Sequence, residues 1–135
     1  MYSQNEEEKY ITEYLGDKVG KFIDIGAFNA FQFSNTRRLY ELGWSGVLVE
    51  AVEKLANGIK EVYKDEPRIE VLNVAIGLSN EPLKMFICED AVSTSVGEWK
   101  DTWQGAGVPF TEALVNQMHV KDFMDKYCTE DVMFI

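Results

Sequence analysis

The sequence predicts an α/β fold in which crossover helices connect the strands of a mostly parallel sheet. Strand and helix patterns alternate along the chain, as they do in parallel sheets. The segment GVLVEA, residues 46–51, is an apolar strand that ends in an acid, which is typical of a strand covered on both faces. Apolar residues then recur at helical spacing over residues 52–64. The 135 residues suit one domain, 1–135.

Local signals place the elements of the first half of the chain. Asn5 is a helix cap followed by three glutamates, which favour the start of a helix, and Gly16 ends that helix. Ser34 is a cap for the next helix, and Gly43 ends it. The predicted elements are a helix at 5–15, a strand at 21–26, a helix at 35–42, a strand at 46–51, a helix at 52–64 and a third strand at 69–77.

In the second half of the chain, the sequence predicts shorter strands and one short helix. A further strand at 83–89 is expected to pair in a hairpin, and residues 90–107 are expected to form a functional loop or lid. A short strand at 113–120, a helix at 120–127 and a strand at 131–135 follow. Because the last strand is apolar up to its final residue, we expect the chain to be truncated after the fourth core strand. The alternative is that this strand is simply the last one.

Charge and composition exclude several function classes. The net charge of −10 is unsuited to duplex nucleic acid, whose binding needs Lys and Arg, and no basic tract suits an anionic membrane. No apolar run is long enough to span a membrane, and the acidic N-terminus is unlike a secretory signal. Cys88, Cys128 and His119 form no metal-ligand pattern, so no metal is predicted. We expect a cytoplasmic protein with reduced thiols.

The predicted strand ends carry two acids and one glycine. In doubly wound sheets, ligands lie beyond the carboxyl ends of the strands. Asp24 interrupts an apolar strand, where a carboxylate needs a cation or a hydrogen-bond donor; the alternative is that neighbouring loop amides bind it. Gly26 allows a tight turn and close backbone approach. Glu50 ends the second strand at the spacing of an acid that accepts bonds from ribose hydroxyls; the alternative is a solvated acid.

The glycine turn indicates which nucleotide would bind. A dinucleotide loop has the pattern G-x-G-x-x-G, but this chain has Phe28 and Phe31 where the second and third glycines would lie. A carboxylate at Asp24 would also repel a pyrophosphate. S-adenosylmethionine has no phosphate, and it offers an ammonium, a sulfonium and a ribose. These features favour S-adenosylmethionine over NAD.

Several motifs together resemble the FkbM-type methyltransferases. They are SQNEEEKYI at 3–11, FIDIGAFNAFQFSNT at 22–36, LGWSGVLVEA at 42–51, NVAIG at 73–77 and the closing VKDFMDKYCTEDVMFI. The likeness covers essentially the whole chain. It implies a class I, Rossmann-like methyltransferase fold: a three-layer sandwich with a mostly parallel sheet. It also implies S-adenosylmethionine-dependent methylation of oxygen, on a small-molecule or sugar hydroxyl.

The resemblance also implies roles for individual residues. By position, Asp24, Gly26 and Ala27 would hold the methionine part of the cofactor, and Glu50 would bind the ribose. Ala75 and Ile76 would border the adenine, and Gln4 with Ser34 or Asn35 would help to close the pocket. The predicted cofactor-binding residues are Asp24, Gly26, Ala27, Glu50, Ala51, Ala75 and Ile76.

The chain departs from the family pattern at two places. Ala30 stands where the family often has glycine. The acidic D-x-E-G-type motif that the family normally has directly after the last strand is not in this sequence, which supports the expected truncation.

No catalytic residue is assigned from the sequence. Asp90 and His119 are the candidates for a general base, although a loop carboxylate and a surface or half-buried imidazole are the simpler interpretations. Trp99 and Trp103 would lie side by side in the lid, and residues 93–95 would line the pocket mouth or merely belong to the loop.

Three matters stay open at this point. The acceptor can be a sugar, a polyketide, a lipid or a small metabolite. An exposed final strand would favour a homo-oligomer. The alternative functions are a non-catalytic Rossmann-like nucleotide-binding or interaction module and, less favoured, an NAD-dependent oxidoreductase.

Overall fold

The computed structural model of the protein describes residues 2–88, 104, 105, 107, 110–129 and 131–135. The described helices are α1 (Glu7–Leu15), α2 (Arg37–Glu41), α3 (Glu53–Val62) and α4 (Val120–Tyr127). The described strands are β1 (Lys21–Ile25), β2 (Ser45–Val49), β3 (Ile69–Leu72), β4 (Ala75–Gly77), β5 (Leu83–Ile87), β6 (Thr111–Val115), β7 (Gln117–His119) and β8 (Val132–Phe134).

The central sheet has four strands in the order β3-β2-β1-β8, and all of its strand pairs are parallel. Strands β4 and β7 form a parallel pair, and β5 with β6 forms an antiparallel pair. The α/β class and the mostly parallel sheet are therefore confirmed. The chain passes from β1 to β2 to β3 in one direction and then returns to place β8 on the other side of β1. The strand order thus reverses between β1 and β8.

Apolar side chains cover both faces of the central sheet. Phe22 and Leu48 project to one face, where they pack with residues of α1, α2 and α3. Ile23, Val47 and Val49 project to the opposite face, where they pack with Phe123 and Tyr127 of α4. This alternation follows from the two-residue period of a strand, and it explains why the strands read as continuous apolar runs.

Close packing at one position requires glycine. A Cβ atom added to Gly46 would lie 2.2 Å from Cε2 of Phe22, whose side chain is fully buried. The ring of Phe22 therefore lies directly against the backbone of β2.

Several predicted boundaries and one predicted strand pairing are wrong. The predicted strand at 113–120 is two strands, β6 and β7, on either side of Asn116, and the predicted helix at 35–42 is shorter, at Arg37–Glu41. The third strand ends at Leu72, and residues 75–77 pair with β7 instead of continuing β3. Strand β5 pairs with β6, far along the chain, and not in a hairpin with the strand before it. Helix α1 begins at Glu7, because the hydroxyl of Ser3 accepts a bond from the amide of Glu8 while Asn5 donates to the side chain of Glu7.

Other predictions are confirmed. Helix α4 has the predicted bounds, and β8 lies within the predicted final strand. In α3, Ala56, Ile59 and the adjoining Tyr63 are buried as expected, whereas Val62 is exposed where the helix ends. Within the described ranges, no helix combines the length and the apolar character needed to cross a membrane.

Candidate functional site

The carboxyl ends of three neighbouring strands lie at one edge of the central sheet. Ile25 of β1 is in register with Val49 of β2, and Val49 is in register with Leu72 of β3. The residues that follow these strand ends are Gly26, Glu50 and Asn73. This edge adjoins the point between β1 and β8 where the strand order reverses, which is where open α/β sheets bind ligands.

The turn after β1 folds back onto the end of β2. The amides of Gly26 and Ala27 both donate to the carbonyl oxygen of Val49, at 2.8 and 3.0 Å. Gly26 has φ of +78°, a backbone conformation that favours glycine, and no atom lies within 4 Å of a Cβ added there. Glycine is therefore required by the turn itself, and it leaves open space at the end of β1. Ala27 is buried in the core.

Glu50 joins this turn to the start of α3. Its Oε1 accepts a bond from the amide of Phe28 at 3.1 Å, and its Oε2 accepts one from the amide of Val52 at 2.7 Å. Only 7% of Glu50 is exposed, so the alternative of a solvated acid is wrong. A carboxylate has about four acceptor positions, and the described residues use two of those of Glu50. Ala51, the next residue, is half-buried.

Asn73 fixes the backbone on either side of that acid. Its Nδ2 donates to the carbonyl oxygens of Glu50 and Ala51, both at 3.0 Å. The sequence reasoning missed this residue because it carried β3 through to residue 77. An amide side chain that interrupts an apolar run was the signal that the strand ends there.

Asp24 projects from β1 toward the face that carries Phe22. Its Oδ2 accepts a 2.7 Å hydrogen bond from Oγ1 of Thr36. In the described part of the chain, Thr36 is its only hydrogen-bond partner, and no cation pairs with it. Burial raises the pKa of the Asp24 carboxyl above its ordinary value, and the bond from Thr36 opposes that rise. The predicted hydrogen-bond donor is thus a hydroxyl and not a set of loop amides.

The SNT segment, residues 34–36, holds α2 and Asp24 together. The hydroxyl of Ser34 accepts from the amide of Arg37 at 3.0 Å, but α2 begins at Arg37 and Thr36 is its N-cap residue, so the predicted cap at Ser34 is wrong by two residues. Ser34 and Thr36 are buried, whereas Asn35 and Gln4 are exposed. The role of Thr36 was missed, since twelve residues separate it from the acid that it contacts.

Ala75 and Ile76 do not lie at the end of β3. They belong to β4, in register with Gln117 and Met118 of β7, and both are half-buried. The expected strand end is therefore occupied by Asn73. Ala75 and Ile76 remain close to it only along the chain.

His119 has a structural contact. It precedes α4, and its Nδ1 accepts a bond from the amide of Lys121 at 3.0 Å, which leaves the proton of a neutral ring on Nε2. It lies at the end of the small β4–β7 sheet, and not at the carboxyl edge of the central sheet. Asp90, Trp99, Trp103 and residues 93–95 lie outside the described residues. No group of three or more His, Cys, Asp or Glu in the described ranges is arranged to hold a metal.

The chain matches no protein-family model, no curated protein and no solved structure. The likeness to FkbM-type methyltransferases therefore stays a prediction from the sequence motifs. The residues at the carboxyl edge are the basis for inferring a function.

Proposed function

We propose that this protein is an S-adenosylmethionine-dependent methyltransferase of the class I, Rossmann-like type. Its acceptor would be a hydroxyl of a small molecule or sugar. One observation carries the proposal. Two carboxylates lie near the carboxyl ends of neighbouring parallel strands: Asp24 is the fourth residue of β1 and Glu50 follows β2, with the glycine turn at Gly26 between them in the chain.

The backbone amides of the turn support a ligand without phosphate. Gly26 and Ala27 donate to Val49, and Phe28 donates to Glu50. All three successive amides thus have acceptors within the protein. A pyrophosphate loop directs such amides toward the phosphate oxygens instead. This hydrogen-bond pattern favours S-adenosylmethionine over NAD.

Glu50 suits the ribose of this cofactor. The amides of Phe28 and Val52 fix the orientation of the carboxylate, and its remaining acceptor positions match two vicinal hydroxyl donors. Each such charge-assisted bond contributes about 1.5–3 kcal/mol. Asn73 supports this role, because it holds the main chain of Glu50 in place.

Asp24 suits the ammonium group. Its carboxylate is largely removed from water and has one described hydrogen-bond donor, Thr36. A cationic ligand at this position would stabilise the charged form of the carboxylate. Gly26, whose Cβ position is open, leaves room for the ligand between the two acids.

The chain's contribution to the reaction is positioning. When bound, S-adenosylmethionine would supply a sulfonium methyl for transfer to the acceptor hydroxyl. Asp24 and Glu50 would fix the amino-acid end and the ribose of the cofactor, and such alignment supplies a large part of the rate of an in-line transfer.

A non-catalytic nucleotide-binding module is the second candidate. The observation that favours it is that each oxygen of Glu50 already binds a backbone amide, so this acid has a structural role without any ligand. Nδ1 of His119 also caps α4, so this nitrogen is not available as a general base.

Calorimetry with S-adenosylhomocysteine and NAD in parallel tests the proposal. We expect heat of binding with S-adenosylhomocysteine alone. Binding of NAD instead would overturn the methyltransferase proposal, and binding of neither ligand would favour an interaction module. Release of S-adenosylhomocysteine on incubation with S-adenosylmethionine and a hydroxyl acceptor would separate an enzyme from a binding module.

A further inference from the structure

The loop between β1 and α2, residues 26–36, buries its small apolar residues and exposes its large ones. Ala27 and Ala30 are each 4% exposed, whereas Phe31 is 42% and Phe33 is 41% exposed. Folding ordinarily buries large apolar side chains in preference to small ones, because the stabilising free energy grows with the apolar area removed from water. The reversed order leaves three phenylalanine rings of this loop at least partly exposed, those of Phe28, Phe31 and Phe33, and we call this set the phenylalanine platform.

The backbone of this loop holds two of the rings in place. Phe28 and Phe33 each have φ of +58°, which is uncommon for bulky side chains. Their rings stack with centroids 6.0 Å apart and planes inclined by 20°. Asn29 stabilises the turn between them, since its Oδ1 accepts from the amides of Phe31 and Gln32 at 2.9 and 3.0 Å. The rings are therefore positioned before any ligand arrives.

Phe31 is supported by a cation. The guanidinium of Arg37 lies 4.4 Å from the ring centroid of Phe31, and it also lies near the rings of Tyr40 and Tyr63, at 4.8 and 5.4 Å. This contact fixes Phe31 against the helical layer while the ring remains partly exposed. The platform is thus held both by its own turn and by α2.

The position of the platform identifies its occupant. The amide of Phe28 binds Glu50, so the platform begins beside the acid proposed to bind the ribose. Glu50, which follows β2, and Asp24 of β1 would hold the cofactor, and the loop that carries the platform leaves β1 two residues after Asp24.

We infer that the phenylalanine platform binds the methyl acceptor, and that this acceptor carries its hydroxyl on a flat apolar or aromatic skeleton and not on a sugar. This inference rests on the proposed function. Exposed apolar surface beside a ligand crevice commonly marks a binding site, and aromatic rings prefer flat apolar partners.

The test uses the full chain, labelled with ¹⁵N and saturated with S-adenosylhomocysteine. The probes are 2-naphthol, which is flat and apolar, and methyl glucoside, a sugar with several hydroxyls. We expect 2-naphthol to shift the amide signals of residues 28–33 and to bind at least about tenfold more tightly than methyl glucoside. Phe33→Asn should lower the affinity for 2-naphthol by about tenfold, whereas Leu114→Asn, at an exposed apolar position on β6, should leave it unchanged.

Phe33→Asn is suited to this test because asparagine tolerates positive φ, so the variant is expected to fold. Phe31→Ala is a second variant that leaves the strained positions untouched. Equal affinity for the two probes, or no effect of either platform variant, would overturn the inference while S-adenosylhomocysteine binding persists. If the wild type does not bind S-adenosylhomocysteine, the proposed function and this inference are overturned together. Analytical ultracentrifugation gives a further check. If the wild type is a dimer and Phe33→Asn is a monomer, the platform is a dimer interface, and the inference of an acceptor site is overturned.

Discussion

The hydroxyl of Thr36 donates a 2.7 Å hydrogen bond to the carboxylate of Asp24, joining the start of α2 to the end of β1. In the described residues this carboxylate has no cationic partner, and burial raises its pKa. An acid that is costly to ionise lies at the strand end most suited to a ligand. The predictions below follow from that arrangement and from the packing around it.

Replacing Asp24 by Asn should change how stability depends on pH. Because the folded pKa is raised above the ordinary value of 3.8, the folded state keeps its proton to higher pH than the unfolded state. The contribution of Asp24 to the free energy of unfolding should therefore fall as pH rises from about 4 through the folded pKa, so the wild type should lose stability relative to D24N. D24N should lack this fall. Urea unfolding of both proteins across that range measures the difference, and parallel pH profiles would contradict the prediction.

Removing the hydroxyl of Thr36 should destabilise the fold. Thr36 is 2% exposed, so T36V leaves the buried carboxylate without its donor while keeping the side-chain volume. We expect a loss of about 1–3 kcal/mol in the free energy of unfolding. T36S is the matched control, because it keeps the hydroxyl. If T36V and T36S have equal stability in urea, the hydrogen bond contributes nothing.

Adding a methyl group at Gly46 should strain the core. A Cβ atom there would meet the ring of Phe22 at 2.2 Å, and that ring is fully buried. Overpacking of this kind costs about 1–3 kcal/mol. Gly58 gives the control: it lies in α3, an added Cβ meets nothing within 4 Å, and G58A should stabilise the protein by about 0.5–1 kcal/mol. In thermal unfolding, the melting temperature should fall for G46A and rise for G58A.

Glu50 should be needed for cofactor binding. A glutamine at this position can accept from only one of the two amides that Glu50 now binds, and it loses the charge that strengthens bonds to ribose. We expect E50Q to weaken S-adenosylhomocysteine binding by at least about tenfold. E53Q, at an exposed acid in the first turn of α3, is the control and should bind like the wild type. Circular dichroism would verify that E50Q is folded, and unchanged affinity would remove Glu50 from the site.

The sequence predicts much of the framework because its strongest signals are local. Helix α4 has the expected bounds since a clear apolar periodicity defines it, and β1 and β2 are apolar runs between turn signals. The end of β3 was misplaced because residues 69–77 form one nearly apolar run. Asn73 breaks it through bonds to Glu50 and Ala51, a contact between distant segments.

The sequence does not predict which strands pair or which distant side chains form hydrogen bonds, because both depend on the folded chain. Strand β5 pairs with β6 across a long stretch of chain, whereas the local preference for sequential strands favoured a hairpin. At the site, Asp24, Gly26 and Glu50 could be located because strand ends and turns have sequence signals. Thr36 could not, since only the folded chain brings it to Asp24.

Amide chemical-shift mapping with S-adenosylhomocysteine tests the central claim most directly. The ligand is added to the ¹⁵N-labelled protein, and the shifts of all assigned amides are followed. The proposed site predicts the largest changes at Gly26, Ala27 and Phe28 and at residues 50–52, with little change in β5 and β6. Saturating changes confined to other segments, or no changes at millimolar ligand, would contradict a cofactor site at the carboxyl edge of β1 and β2.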